Sequence, residues 1–239
     1  MAGVLAGTLG SAGGITSLVS YPALLAAGVP PLAANATNIV ALMTFWPGSA
    51  LGSQQELVGH GRWLLRWIPL MLLGSGTGAL LLLATPSEAF KRVVPFLVLP
   101  GSLALIGAPW LTRRRNSDAQ HRWVLGAWLA AMATYCGYFG AGSGVMTLAL
   151  LLIMVERHVP TANALKNMLV GAATIPAGIL LAIFAPVHWP QAAALAVGVL
   201  IGSRLGPAVA RRVPGDVLRW TVAALGLGLA VWLWVKPSG

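Results

Sequence analysis

Apolar residues run along this chain in long blocks separated by short polar and basic stretches. The blocks are Ala2–Ala27, Ala34–Gln54, Leu64–Ala84, Val93–Leu111, Trp123–Val155, Thr161–Ala185, Gln191–Val209 and Val217–Val235. Most reach the ~20 residues that a helix needs to cross ~30 Å of hydrocarbon. The pattern predicts an all-α, polytopic membrane protein of about eight transmembrane segments with no soluble domain. The first block already belongs to a repeat and lacks a basic leader region, so no cleavable leader is expected.

Two blocks are interrupted by glycine. Residues Tyr135–Met146 carry Gly137, Gly140, Gly142 and Gly144, and the first block contains Gly10-Ser11-Ala12-Gly13-Gly14. Each glycine inside a helix costs about 1 kcal/mol against alanine. Backbone that leaves the helix in a bilayer must be shielded by protein or line a wet cavity, because lipid offers its polar groups no partner. Two such breaks at matching places in two halves point to a transport site.

The halves match in order and spacing. Gly10 and Gly14 recur 130 residues on as Gly140 and Gly144, and Pro31, Asn38 and Pro47 recur 129 residues on as Pro160, Asn167 and Pro176. Trp63 corresponds to Trp189, the Gly74-x-x-x-Gly78 step to Gly198-x-x-x-Gly202, and Pro86-x-Glu88-x-x-Lys91 to Pro214-x-Asp216-x-x-Arg219. The expected organisation is two repeats of four segments, the first segment of each broken by glycines: residues 1–111, a basic connecting loop 112–122, and residues 123–239. Full crossings by the broken segments would give both repeats the same orientation; segments that dip in and return would make the repeats inverted. Pro47 and Pro176 read as mid-helix prolines. Glycines at every fourth position, Gly74 and Gly78, then Gly198, Gly202 and Gly206, read as flat stripes for close helix packing.

Composition agrees: 57% hydrophobic and 8% charged residues leave too little polar surface to cover a water-soluble globule of 239 residues. A net charge of +10 would suggest nucleic acid in a soluble protein. Here the basic residues sit mostly in connections, as helix ends facing lipid head groups do, so no nucleic-acid partner is expected. With eight crossings, seven basic residues fall on the side of the termini and six on the other, which fixes no orientation. Cys136 is the lone cysteine, which excludes an intramolecular disulfide and a multi-cysteine metal site.

Two cations lie inside apolar blocks, Lys166 and Arg204, while Glu56, Glu88, Asp118, Glu156 and Asp216 all lie at or beyond block ends. A cation at membrane depth marks a candidate site, unless it snorkels to the interface. A broken helix also presents a new N-terminus, whose free N–H groups favour an anion. The candidate substrate-binding residues are Gly10, Ser11, Gly13, Gly14, Thr37, Asn38, Gly140, Gly142, Ser143, Gly144, Lys166, Asn167 and Arg204. A cavity lined by donors and positive charge suits a small oxyanion such as sulfite, a sulfonate or a carboxylate. The expected partners are that small anionic substrate and the lipid bilayer, with a homo-oligomer left open. No cofactor, metal or catalytic group is expected: His60, His121, His158 and His188 are isolated, and no aspartate pair offers a Mg²⁺ site. The alternatives weighed are a non-transporting scaffold or assembly subunit and a membrane enzyme acting on lipid phosphates.

The glycine-rich break followed by Pro22-Ala-Leu-Leu-x-x-Gly28, then Ala34-x-Ala-Thr-Asn38, and the Gly198-x-x-x-Gly202-x-Arg204-Leu-Gly206 step resemble the sulfite exporter TauE/SafE permeases, also called the sulfonate uptake permease family. The resemblance covers essentially the whole chain. It implies a bacterial-type, multi-pass inner-membrane transporter of sulfur-containing or related organic anions, without fixing substrate or direction. This chain departs from the family in its breaks, GSAGG and GAGSG where three consecutive glycines are usual, and in the nine residues that precede the first break.

Overall fold

The computed structural model describes residues 1–90, 92–93 and 121–212. The expected fourth segments, 93–111 and 217–235, and most of the 112–122 loop lie outside the described residues. Every regular element within them is helical: α1 Ala2–Gly13, α2 Thr16–Ala26, α3 Pro31–Ala41, a 3₁₀ turn Leu42–Thr44, α4 Phe45–Gly52, α5 Gln54–Leu57, α6 Gly61–Ala84, α7 His121–Tyr138, α8 Ser143–Met154, α9 Val159–Phe184 and α10 Trp189–Ala210.

Three helices, α6, α9 and α10, are long and apolar enough to span a bilayer. At 24, 26 and 22 residues they measure about 36, 39 and 33 Å. Each starts one residue after a histidine, with His60, His158 and His188 at the N-cap positions. Proline in the first turn of α3, α9 and α10 fixes a helical φ where no backbone donor is needed.

The two proline segments differ. Pro176 sits inside a continuous α9, whereas the chain around Pro47 tightens into the 3₁₀ turn and restarts as α4. Pro47 therefore occupies a first turn rather than the middle of a helix, which removes its steric cost. Thr174 Oγ1 donates to the Leu42 carbonyl of that turn at 3.1 Å. This gives the 3₁₀ turn a buried donor from the neighbouring helix.

Both glycine breaks turn the chain sharply. After α1, Gly14 takes a left-handed conformation, φ +84°, and its N–H closes on Gly10 O. A Cβ added to Gly10 would stand 3.0 Å from Thr16 Cα, although a continuous helix separates residues six apart by about 9 Å along its axis. Between α7 and α8 two glycines, Gly140 and Gly142, have φ of +76° and +79°. Arg122 and Leu125 near the start of α7, Met154 and Val155 at the end of α8, and Trp63 near the start of α6 line one cleft. The two ends of the run 123–155 thus lie at the same end of the bundle.

Two further contacts join segments that are distant along the chain. Arg211 beyond α10 pairs with Glu56 of α5 at 2.6 Å, and the His188 N–H before α10 reaches Thr37 Oγ1 of α3 at 3.0 Å. Eight successive crossings would place the members of each pair on opposite sides of the membrane.

The glycine stripes are packing surfaces. α1 runs alongside α10, where Gly3 and Gly7 meet the backbone of Leu195–Ser203 and Gly202 and Gly206 meet Val4, Thr8 and Ser11. α6 runs alongside α7 in the same way, with Gly74 against Ala133, Gly78 against Thr134 and Gly137 against Ser75. One buried cluster, including Tyr21, Ile39, Phe90, Phe139 and Leu181, fills the end of the bundle near Thr37 and His188. A second, including Trp67, Leu125, Leu151 and Leu165, fills the end near Glu56 and Arg211.

Candidate functional site

The two turns meet. A Cβ on Gly144 would lie 2.6 Å from the Cα and carbonyl oxygen of Gly14, and one on Gly14 would lie 2.5 Å from the Gly144 carbonyl carbon. Residues that correspond along the two halves therefore touch backbone to backbone, an approach open only to glycine. Beside this contact is a small cavity lined by Gly10, Gly14, Thr16 and Ser17 from the first break, Cys136, Gly140, Ser143 and Gly144 from the second, and Lys166, Val170 and Thr174 from α9. Ile39, Leu42 and Phe45 close the remaining wall. Its room for water-sized centres is ≈ 30 Å³, about twice what one water requires.

Lys166 is the charged residue on that lining and is only 1% exposed. Its Nζ donates to Gly10 O at 3.1 Å. The last four carbonyls of a helix lack partners within it, and α9 supplies partners at the end of α1. Besides Lys166, Asn163 and Asn167 both donate Nδ2 to Ser11 O, at 2.8 and 3.0 Å. A cation at a helix C-terminus is favoured by the helix dipole. Lys166 thus has a structural partner, but an ammonium carries three donors, and among the described residues Gly10 O is its single acceptor.

The helices that follow the breaks begin at the cavity. Thr16 and Ser17 open α2 and Ser143 and Gly144 open α8, so the starts of both helices border the same space. Asn38 is locked behind them. Ser20 Oγ donates to Asn38 Oδ1 at 2.5 Å, and Asn38 Nδ2 donates to Ser17 Oγ at 3.1 Å. The Ser17 oxygen is then occupied as an acceptor, which leaves its own proton available for donation. Ser143 instead spends its hydroxyl on Gly140 O at 2.8 Å.

Of the residues expected from sequence, Gly10, Gly14, Gly140, Ser143, Gly144 and Lys166 are brought together on the cavity. Gly13 ends α1, and Gly142 caps α8 just outside the lining. Ser11 does not face the cavity: its hydroxyl donates to Gly7 O at 2.8 Å, and its side chain packs against Gly206. Thr37 is engaged by the His188 N–H, and Asn167 by Ser11 O. Arg204 lies exposed on the outer face of α10. Sequence reasoning missed Thr16, Ser17 and Thr174, although the first two stand two and three residues after Gly14 and Ser143 stands within the second break.

A family model described as sulfite exporter TauE/SafE matches residues 1–233. The chain belongs to that family. It is similar to a probable membrane transporter protein of Haemophilus influenzae, 27% identical over 85% of this chain and 80% of the relative. It is also similar to the probable membrane transporter protein ORF9 of a Sinorhizobium species, 25% identical over 100% of this chain and 92% of the relative. A third relative, the probable membrane transporter protein YfcA of Escherichia coli K12, is 26% identical over 85% and 76%. No solved structure matches the chain. The TauE/SafE assignment makes this protein a multi-pass membrane transporter.

Proposed function

We propose that this TauE/SafE protein carries a small oxyanion, with a sulfur oxyanion such as sulfite or an organosulfonate as the best fit, through the cavity between the two turns. The observation that carries the reading is the convergence of two helix N-termini and the Lys166 ammonium on a lining without a carboxylate. An oxyanion supplies acceptors for the remaining Lys166 N–H bonds and the Ser17 proton, beside the positive ends of the two helix dipoles. The glycine contact lets that anion approach backbone, which selects for small size. The family is described as sulfite exporters, which agrees with this chemistry. The test is uptake by proteoliposomes loaded with one anion at a time. Sulfite or a small sulfonate should move and compete with each other, and Lys166→Gln should reduce transport at least tenfold. Full transport by that variant would leave Lys166 as a cap for α1 alone and remove the anion site.

We also infer that the chain is an inverted repeat in a bacterial-type inner membrane. The support is reciprocal packing: α1 on α10 and α7 on α6, with Gly7 against Val199 and Gly137 against Ser75 at the repeat offsets. If both broken segments return, and the apolar runs 93–111 and 217–235 cross, the basic residues redistribute. Arg157, Arg211, Arg212 and Arg219 join Arg62, Arg66, Arg113, Arg114, Arg115 and Arg122 on one side, ten in all, against Lys91, Arg92 and Lys236. Ten against three gives the positive-inside rule a clear answer, with the side of Glu56 and Arg211 cytoplasmic and the termini outside.

A further inference from the structure

At the same end of the bundle as Glu56 and Arg211 lies a second and larger space, separate from the cavity between the turns. It is a cleft of ≈ 350 Å³ lined by Trp63, Arg66 and Trp67 from the start of α6, Arg122 and Leu125 from the start of α7, and Met154 and Val155 at the end of α8. We propose that this cleft holds an anionic phospholipid, with Arg66 and Arg122 on the headgroup phosphate and an acyl chain along Trp63, Leu125, Met154 and Val155.

The floor is rigid. Trp67 is buried against Gly126 of α7, where a Cβ would meet its ring at 3.3 Å. Trp63 leans on it with ring centroids 6.4 Å apart. Arg66 lies over the Trp67 ring, its Cζ 5.6 Å from the centroid. That cation–π distance keeps the guanidinium beside the ring, and among the described residues no carboxylate pairs with it, so its N–H groups can meet a phosphate. Arg122 adds a second exposed guanidinium from the facing helix, and among the described residues no carboxylate lines the cleft.

Two features favour a lipid over a free anion. Five of the seven lining residues are apolar or aromatic, a wall that a hydrated ion would leave unused and an acyl chain would cover. Both arginines also lie within the first two turns of their helices, where Leu65, Trp123 and Trp128 are exposed apolar side chains, as expected at the boundary between head groups and hydrocarbon. A basic cleft between helices at that depth is a headgroup site in physical terms.

The test is thermal unfolding and native mass spectrometry of the purified full chain with phosphatidylglycerol, phosphatidylcholine or inorganic phosphate. Phosphatidylglycerol should be retained and should raise the melting temperature more than phosphatidylcholine, while inorganic phosphate should do neither. The Arg66→Gln/Arg122→Gln pair should lower phosphatidylglycerol affinity about tenfold per arginine removed. Arg62→Gln/Arg157→Gln, which removes two exposed arginines outside the cleft, should retain it. Equal retention by the cleft variant and wild type would overturn the proposal, as would a full effect of inorganic phosphate, which would mark a soluble-anion site instead.

Discussion

Replacing Gly144 by alanine isolates the contact on which the site is built. Gly144 is not among the positive-φ glycines, so alanine adds only its methyl group. That group would sit 2.6 Å from Gly14 Cα and O, roughly 1 Å inside the ~3.5–4.0 Å at which carbon atoms pack. Both neighbours are backbone held by helices, so the turns must separate, at a cost of about 1–3 kcal/mol. For a chain of this size that lowers the melting temperature by about 2–4 °C per kcal/mol. A misplacement of about 1 Å can cost roughly a hundredfold in a positioned reaction, and transport should fall by a comparable factor. Gly28→Ala is the control: φ is +82° but nothing lies within 4 Å of the added Cβ, so it should cost about 1–2 kcal/mol of backbone strain and leave transport per folded molecule unchanged. Gly14→Ala combines strain with overlap and should be the most damaging of the three. Proteoliposome uptake normalised to folded protein, with melting curves in detergent, reads all three. Wild-type uptake and melting by Gly144→Ala would show that the turns do not meet, and the site would have to be placed elsewhere.

Lys166→Arg should keep more transport than Lys166→Gln, because guanidinium retains the charge, while its bulk in a cavity of ≈ 30 Å³ should still reduce the rate. Arg204→Gln should be close to silent in uptake, since Arg204 is exposed on the outer face of α10. A loss there as large as that of Lys166→Gln would return Arg204 to the site. Replacing Glu56 and Arg211 by cysteine should give an oxidisable crosslink visible by gel shift in membranes, and absence of any crosslink would argue against their sharing a side. Glu56→Gln alone should change stability by no more than about 1 kcal/mol, as an ion pair with an exposed arginine does.

Much of the site was legible because chemistry and spacing coincided. Gly14 and Gly144 could be paired from their offset, and Lys166 stood out as a cation in an apolar run. What spacing could not show was direction. The run 123–155 is long enough to cross a membrane, yet left-handed Gly140 and Gly142 break it and its two ends line one cleft. Counting crossings from length then put Glu56 and Arg211 on opposite sides and divided the basic residues almost evenly. Side-chain allegiance was equally hidden. Asn38 and Asn167 correspond along the repeat, yet Asn38 binds serines of its own half while Asn167 binds Ser11 O across the interface. Those partners depend on tertiary register. The different behaviour at Pro47 and Pro176 has a similar origin, because the 3₁₀ turn before Pro47 has its donor on another helix.

The placement of Lys166 also revises how movement through the site couples to energy. With every carboxylate and histidine at a block end, the sequence suggests that no titratable group at membrane depth relays a proton. Lys166 is such a group, and it lines the cavity itself. A permanently charged Lys166 would accompany each monoanion as a neutral pair. Reloading the site would then carry the anion's charge across the membrane potential, at about 2.3 kcal/mol per 100 mV, and favour outward movement from a cell negative inside. A Lys166 that exchanges its proton during the cycle would instead tie uptake to a pH gradient. Arginine is the discriminating substitution because it cannot deprotonate in a protein. If the charge is fixed, Lys166→Arg and wild type should respond alike to an imposed potential and should both ignore an imposed pH gradient. If the lysine exchanges protons, the pH response should be present in wild type and abolished by arginine while the response to potential survives. The two mechanisms share every contact in the structure and differ only in that one response.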